Sequence, residues 1–233
     1  TAGVIARITP LMPRQRHVAT QQPDLRDVPM SDGLRTLTAR GEARLYGKSR
    51  LLIQEGEPGS TLFIILSGRV RAYSTNDDDT RRVTYGDYFP GEFLGEMSLD
   101  GGARSASVEA LEPSWCVVIT RITLEQHIAA QPAFAFELLS KVIRRARAAT
   151  LSLRAIALND VYGRLAWLLN ERAQTQPDGS RAVGPITQQE MADALACTRP
   201  MVSRVMKELE IGGYVETTSD RKVTLKRPLP SRF

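Results

Sequence analysis

From Pro132 to about Ala157 the chain runs without a glycine or an internal proline. That run predicts one long helix, and a long helix divides everything else into a part before it and a part after it. Within it Leu139, Val142, Ala146, Ala149, Leu153 and Ile156 step by 3, 4, 3, 4 and 3 residues. This is the a-and-d spacing of a helix–helix seam. Such a seam either lies on the chain's own neighbouring domain or meets a second copy. Its strictness and length favour a parallel homodimer, with Lys141, Arg144, Arg145, Arg147 and Arg154 on the flanks.

Before the helix the punctuation is that of a β protein. The runs "RLLIQ", "TLFIIL", "RVRAYST", "RRVTY", "SASVEA" and "WCVVIT" are short and β-rich, separated by turns at 56–59, 67–68, 76–79 and 86–87. Evenly spaced short strands with Gly-rich turns predict a compact sandwich or barrel. A short helix, "TLEQHIAA", closes this part and stops at Pro132. Residues 1–30, with four prolines among polar and basic residues, read as a tail with little core of its own. The organisation expected is therefore a tail (1–30), a β domain (31–131), a dimer helix (132–157) and a C-terminal domain (158–233).

After the helix, "DVYGRLAWLLNERA" reads as a further helix and "TQPDGSRAVGP" as a loop around a Pro-Asp-Gly turn. Then two helix starts follow each other. Thr187 and Glu190 have capping-box spacing, with Ile186 and Met191 at the staple positions. Thr198 begins the second helix, with Pro200 in its first turn, where a missing N–H costs little. Two helices joined by three or four residues make a helix-turn-helix. Val202, Val205, Met206 and Leu209 form the inner face of the second, whereas Arg199, Ser203, Arg204 and Lys207 point outward. Those are donors suited to guanine edges and phosphates of double-stranded DNA; Thr187, Gln188 and Thr198 at the helix starts join them as candidate contacts. Gly212-Gly213 ends the helix, and "YVETT" and "KVTLK" form a two-stranded wing. Ala196 stands in the turn where glycine is commonest, so a left-handed backbone is expected there at some cost.

Charge and cysteine content narrow the function. The net charge of +5 suits a polyanionic partner. Two cysteines, Cys116 and Cys197, are too few for a disulfide framework or a four-thiolate cluster and fit a reducing, cytoplasmic setting. No run approaches a membrane span, and no hydrophobic region follows the basic residues of the N-terminus as a signal peptide would require. No metal site is expected. No nucleophile stands beside a base in a way that predicts an enzyme.

One stretch of the β domain carries candidate chemistry: "FLGEMSLDGGARSASV", residues 93–108. Arg104 has the fork geometry that suits a buried phosphate, and turn amides add positive charge. Glu96 offers an acceptor for a sugar hydroxyl, and Gly101-Gly102 allow close backbone approach. The alternative is a Glu96–Arg104 salt bridge beneath a turn.

The order β domain, dimer helix, winged helix-turn-helix, with this stretch in the β domain, resembles the bacterial CRP/FNR family of transcription regulators, over about residues 40–227. The fold so implied is α+β: an N-terminal jelly-roll-like β-roll that binds cyclic nucleotides, a dimerisation helix and a winged helix-turn-helix. The resemblance implies a phosphate-binding cassette in which Gly95 and Glu96 meet the ribose and Arg104, helped by Ser105, holds the cyclic phosphate. Met97 and Ser98 belong to the same loop. Thr150 falls where the cAMP-responsive type presents a hydroxyl to the base, and Ala149 where that type presents another. The implied effector is a cyclic nucleotide such as cAMP; the implied operator is a pseudopalindrome. The oxygen-sensing branch needs four cluster cysteines, and neither His17 in the tail nor His127 on the short helix reads as a haem ligand. "QPDG" (176–179) resembles a family surface that touches RNA polymerase.

Overall fold

The structure, a computed structural model, describes residues 21–76 and 81–230, apart from the side chains of residues 155, 156 and 158. The expectations for the tail before residue 21, for His17, for the 77–79 turn and for the side chain of Ile156 lie outside the described residues.

The N-terminal half opens with α1 (Asp32–Thr38) and folds through β1 (Glu42–Tyr46), β2 (Leu51–Ile53), β3 (Thr61–Ser67), β4 (Val70–Thr75), β5 (Arg82–Tyr88), β6 (Phe93–Leu94), β7 (Ser107–Ala110) and β8 (Ser114–Thr120). These make two antiparallel sheets of order β1-β8-β3-β6 and β2-β7-β4-β5. The continuous apolar run of β3 has a direct cause. Leu62, Ile64 and Leu66 face outward onto a cluster with Leu34 and Leu37 of α1 and Leu124 and Phe134 of the helices after β8. Phe63 and Ile65 face inward onto Ile53, Val70, Ala72 and Val108 of the other sheet. A strand covered on both faces loses the alternation of a half-buried one.

Thr120 caps α2 (Arg121–Ala130) with its hydroxyl on the Thr123 amide. On α2, His127 is fully buried against Phe134, ring centroids 4.8 Å apart, so its role is packing. Then α3 (Ala133–Leu158) runs for 26 residues. Its exposed apolar residues include Phe136, Leu139, Ile143 and Leu153. Ala146 and Ala149 are also exposed, whereas Val142 is half-buried. The exposed stripe thus takes in Phe136 and Ile143, which the sequence spacing passed over. An α-helix turns every 3.6 residues, so a stripe drifts against a strict 3.5 repeat.

The C-terminal half comprises α4 (Val161–Arg172), β9 (Gln174–Thr175), β10 (Arg181–Val183), α5 (Gln188–Ala194), α6 (Arg199–Ile211), β11 (Val215–Thr217) and β12 (Val223–Leu225). Its core joins Leu165 and Leu169 of α4 to Met191, Leu195, Val202, Met206, Leu209 and Val223. The segment expected as a loop around Pro-Asp-Gly is a hairpin instead: β9 and β10 pair and extend the wing into a four-stranded sheet, β11-β12-β10-β9. Strands of two and three residues are too short to leave a periodic signal. Trp167 is half-buried at the edge of this core, as Trp115 is at the edge of the cluster under α1.

Candidate functional site

The loop after β6 is shaped by glycine where the backbone demands it. Gly95 has φ +90° and starts a single 3-10 turn over Glu96–Ser98. From the far side the 56–58 turn grips the backbone of Arg104: the Gly56 amide donates to the Arg104 carbonyl and the Arg104 amide to the Glu57 carbonyl, each at 2.9 Å. A Cβ on Gly59 would collide with the Arg104 guanidinium, so that position must stay small.

Arg104 is only 8% exposed. Its Nη1 donates to Ser98 Oγ at 2.7 Å and to the carbonyls of Thr61 and Gly95 at 3.0 Å; its Nη2 donates to Thr61 Oγ1 at 2.8 Å. All four acceptors are neutral. Burial lowers the pKa of this guanidinium, though arginine keeps its charge throughout the working range. Among the described residues Arg104 forms no ion pair. The Glu96–Arg104 bridge offered by the sequence is therefore absent. Glu96 pairs with Arg145 of α3 instead, at 2.8 Å. Arg145 also donates to the Phe93 carbonyl at 2.5 Å and lies over the Tyr88 and Phe93 rings. The loop thus carries a net buried cation, and its carboxylate ties it to the long helix.

The remaining predicted residues are placed as follows. Ser98 is buried beneath Arg104. Ser105 is exposed, its hydroxyl 3.3 Å from the Met97 sulfur, and Met97 is itself exposed. Thr150 is exposed on α3 and donates to the Ala146 carbonyl at 3.0 Å; no hydrogen bond joins it to the 95–105 loop. Sequence reasoning missed Thr61 and Gly59, whose roles come from folding a distant strand and turn against Arg104.

In the C-terminal half both parts of the capping box form. Thr187 Oγ1 accepts from the Glu190 amide at 3.0 Å, and Glu190 Oε2 accepts from the Thr187 amide at 2.8 Å. Ala196 takes the expected left-handed backbone, φ +51°. Arg164 of α4 donates to the Leu195 carbonyl at 3.0 Å, fastening the turn to the core. Thr198 caps α6 by position, without a side-chain bond. The inner face of α6 is buried, whereas Arg199, Arg204 and Lys207 are exposed and Ser203 half-exposed. Among the described residues, no hydrogen bond or ion pair occupies those three cations. Thr217 of the wing donates to Glu210 of α6 at 2.6 Å, holding wing and helix together. Arg221, which the sequence reading passed over, sits exposed in the turn between the wing strands with φ +64°.

A β-rich domain joined by a long helix to a winged helix-turn-helix with a free cationic face is the architecture of a DNA-binding transcription regulator. Comparison with known proteins agrees. Residues 43–131 match the cyclic nucleotide-binding domain family and residues 163–228 the Crp-like helix-turn-helix domain family. The cAMP-activated global transcriptional regulator CRP of Pasteurella multocida is 32% identical over 172 residues, 71% of this chain and 81% of that one. The CRP-like cAMP-activated global transcriptional regulator of Mycobacterium tuberculosis is 30% identical over 175 residues, 73% and 78% of the two chains. The c-di-GMP responsive global regulator CLP of Xanthomonas campestris shares the fold, with a TM-score of 0.71 at 23% identity over 83% of this chain and 97% of that one. The chain belongs to the CRP/FNR family of transcription regulators, a family without enzymatic activity. No helix among the described residues is long and apolar enough to cross a membrane.

Proposed function

We propose that this regulator works in the cytoplasm as a homodimer that binds a pseudopalindromic operator under the control of a small anionic effector, a cyclic nucleotide such as cAMP. Residues 31–131 would form the effector domain, 132–157 the dimer helix and 158–233 the DNA-binding domain. The observation that carries the effector reading is Arg104: a buried guanidinium whose protein partners are all neutral, in a glycine-shaped loop. A buried cation without a counter-charge is costly, and a phosphate would supply that charge with bidentate geometry. Support for the dimer is the exposed stripe of Phe136, Leu139, Ile143 and Leu153, since a stripe of that size on a long helix needs a cover. On DNA, Arg204 would read a guanine one turn into α6, with Arg199 on a second base or a phosphate.

Calorimetry of the purified chain with cAMP, cGMP and cyclic dinucleotides tests the effector. Saturable binding of one of them, lost in Arg104→Ala, is expected. A second reading is a family member that regulates without a nucleotide. It is favoured by the same site: the fork of Arg104 is already met by four oxygens, and Glu96 is engaged by Arg145. Operator affinity identical with and without every nucleotide tried would establish it.

A further inference from the structure

Arg71 of β4 lies directly across from Asp87 of β5 in the sheet register. Its Nε and Nη2 hold the two Asp87 oxygens at 2.6 and 2.9 Å. The same Nη2 reaches Glu190 of α5 at 3.2 Å. Arg71 is the most buried member of the trio, its side chain 12% exposed, against 20% for Asp87 and 32% for Glu190. Glu190 divides its oxygens. Oε2 closes the Thr187 capping box, and Oε1 takes Arg71. Burial raises the pKa of Glu190, but the Thr187 bonds and Arg71 outweigh it and leave the carboxyl below its usual range. Arg172, at the end of α4, lies close enough to feel the charges of Asp87 and Glu190. The β domain and the first helix of the helix-turn-helix thus meet where α5 packs on β5, with one guanidinium bridging the two and Arg69 beside the same Asp87 at 3.7 Å. The capping bond that starts α5 and the contact that docks it share a side chain. With the domains so joined, Arg199, Arg204 and Lys207 remain exposed, so the contact does not cover the DNA-reading face.

We infer that Arg71 is a positioning residue for DNA binding: by gripping Asp87 and Glu190 together it fixes the orientation of the helix-turn-helix on the β domain, and with it the half-site spacing that a dimer can span. A bidentate arginine–carboxylate pair has a defined geometry, unlike a lysine's point charge, and two reading heads on fixed mounts accept one spacing whereas loose heads accept several. The inference rests on the family's DNA binding and not on the nature of the effector. The geometry also sets Asp87 next to Tyr88, whose ring lies under Arg145, the partner of Glu96.

The experiment uses the full-length chain and an operator selected by the wild type from random DNA, then rebuilt with the half-sites moved one and two base pairs closer and further apart. Glu190→Gln keeps the cap, because glutamine serves at that position, but gives up the charge. Arg71→Gln gives up both pairs. Each variant is expected to lose about tenfold in affinity at the best spacing and to bind the altered spacings nearly as well as the original. The double variant should lose no more than Arg71→Gln alone, and Arg71→Lys should recover only part. A purely structural role for Arg71 in the β-sheet predicts a lower melting temperature with the spacing preference intact. That outcome overturns the inference, and so does an unchanged preference in Glu190→Gln or additive losses in the double variant.

Discussion

Arg104 and Arg204 are the two arginines we propose for phosphate-bearing partners, yet the molecule treats them in opposite ways. Arg104 is buried, with four neutral oxygens arranged around it before any ligand arrives. Arg204 is exposed and, among the described residues, bonded to nothing. The difference follows from the size of the anion. A small ligand makes few contacts, so a cation already held in place spares it the cost of ordering the side chain and leaves the charge over for the guest. Duplex DNA is a long polyanion that releases its own counterions, and cations that wait free in water gain most from it. Protein partners would only compete.

The comparison is broken most forcefully at Arg104. Arg104→Ala leaves Ser98 and Thr61 without their donor beneath the loop and opens a hole beside Gly59. A loss of about 3 kcal/mol in the stability of the β domain is expected, read as a lower melting temperature without ligand. An unshifted melting curve would mean that the arginine waits for its guest as loosely as Arg204 does. Arg204→Ala is the next largest and falls elsewhere. Its stability effect should stay within about 0.5 kcal/mol, while the best operator loses about 1–3 kcal/mol and one base position of the selected motif flattens. An unaltered motif would place the reading register on other residues.

Those contrasts explain what could be read in advance. The capping box at Thr187 and Glu190, the β-rich run that becomes β3 and the inner face of α6 are local patterns, and the sequence writes local patterns directly. The partner of Glu96 was not legible. Glu96 and Arg145 are brought together only when the middle of α3 lies against Phe93 of β6, whereas Arg104 is nearer in the chain. The Arg71–Glu190 contact, 119 residues apart in the chain, leaves no spacing signal at all. The β9–β10 hairpin escaped for a third reason: strands of two and three residues are too brief to repeat a period.

The smallest effect tests whether the reading head is as strain-free as its free cations suggest. Ala196 sits between α5 and α6 with φ +51°. The turn is fixed on both sides, by the Cys197 amide on the Ala192 carbonyl at 3.0 Å and by Arg164 on the Leu195 carbonyl, so the backbone cannot relax out of the left-handed region. For an L-residue with a Cβ that conformation costs about 1 kcal/mol more than for glycine. Glycine gives part of this back, because it loses more freedom on folding. The net gain of Ala196→Gly should be about 0.5 kcal/mol, or about 2–4 °C in the melting temperature of a domain this size. Because Ala196 lies outside the outward face of α6, operator affinity should stay level. A less stable variant would show that the methyl group makes a contact worth more than the strain it causes. Raised affinity for DNA would show that the strain had been holding the two helices off their best angle.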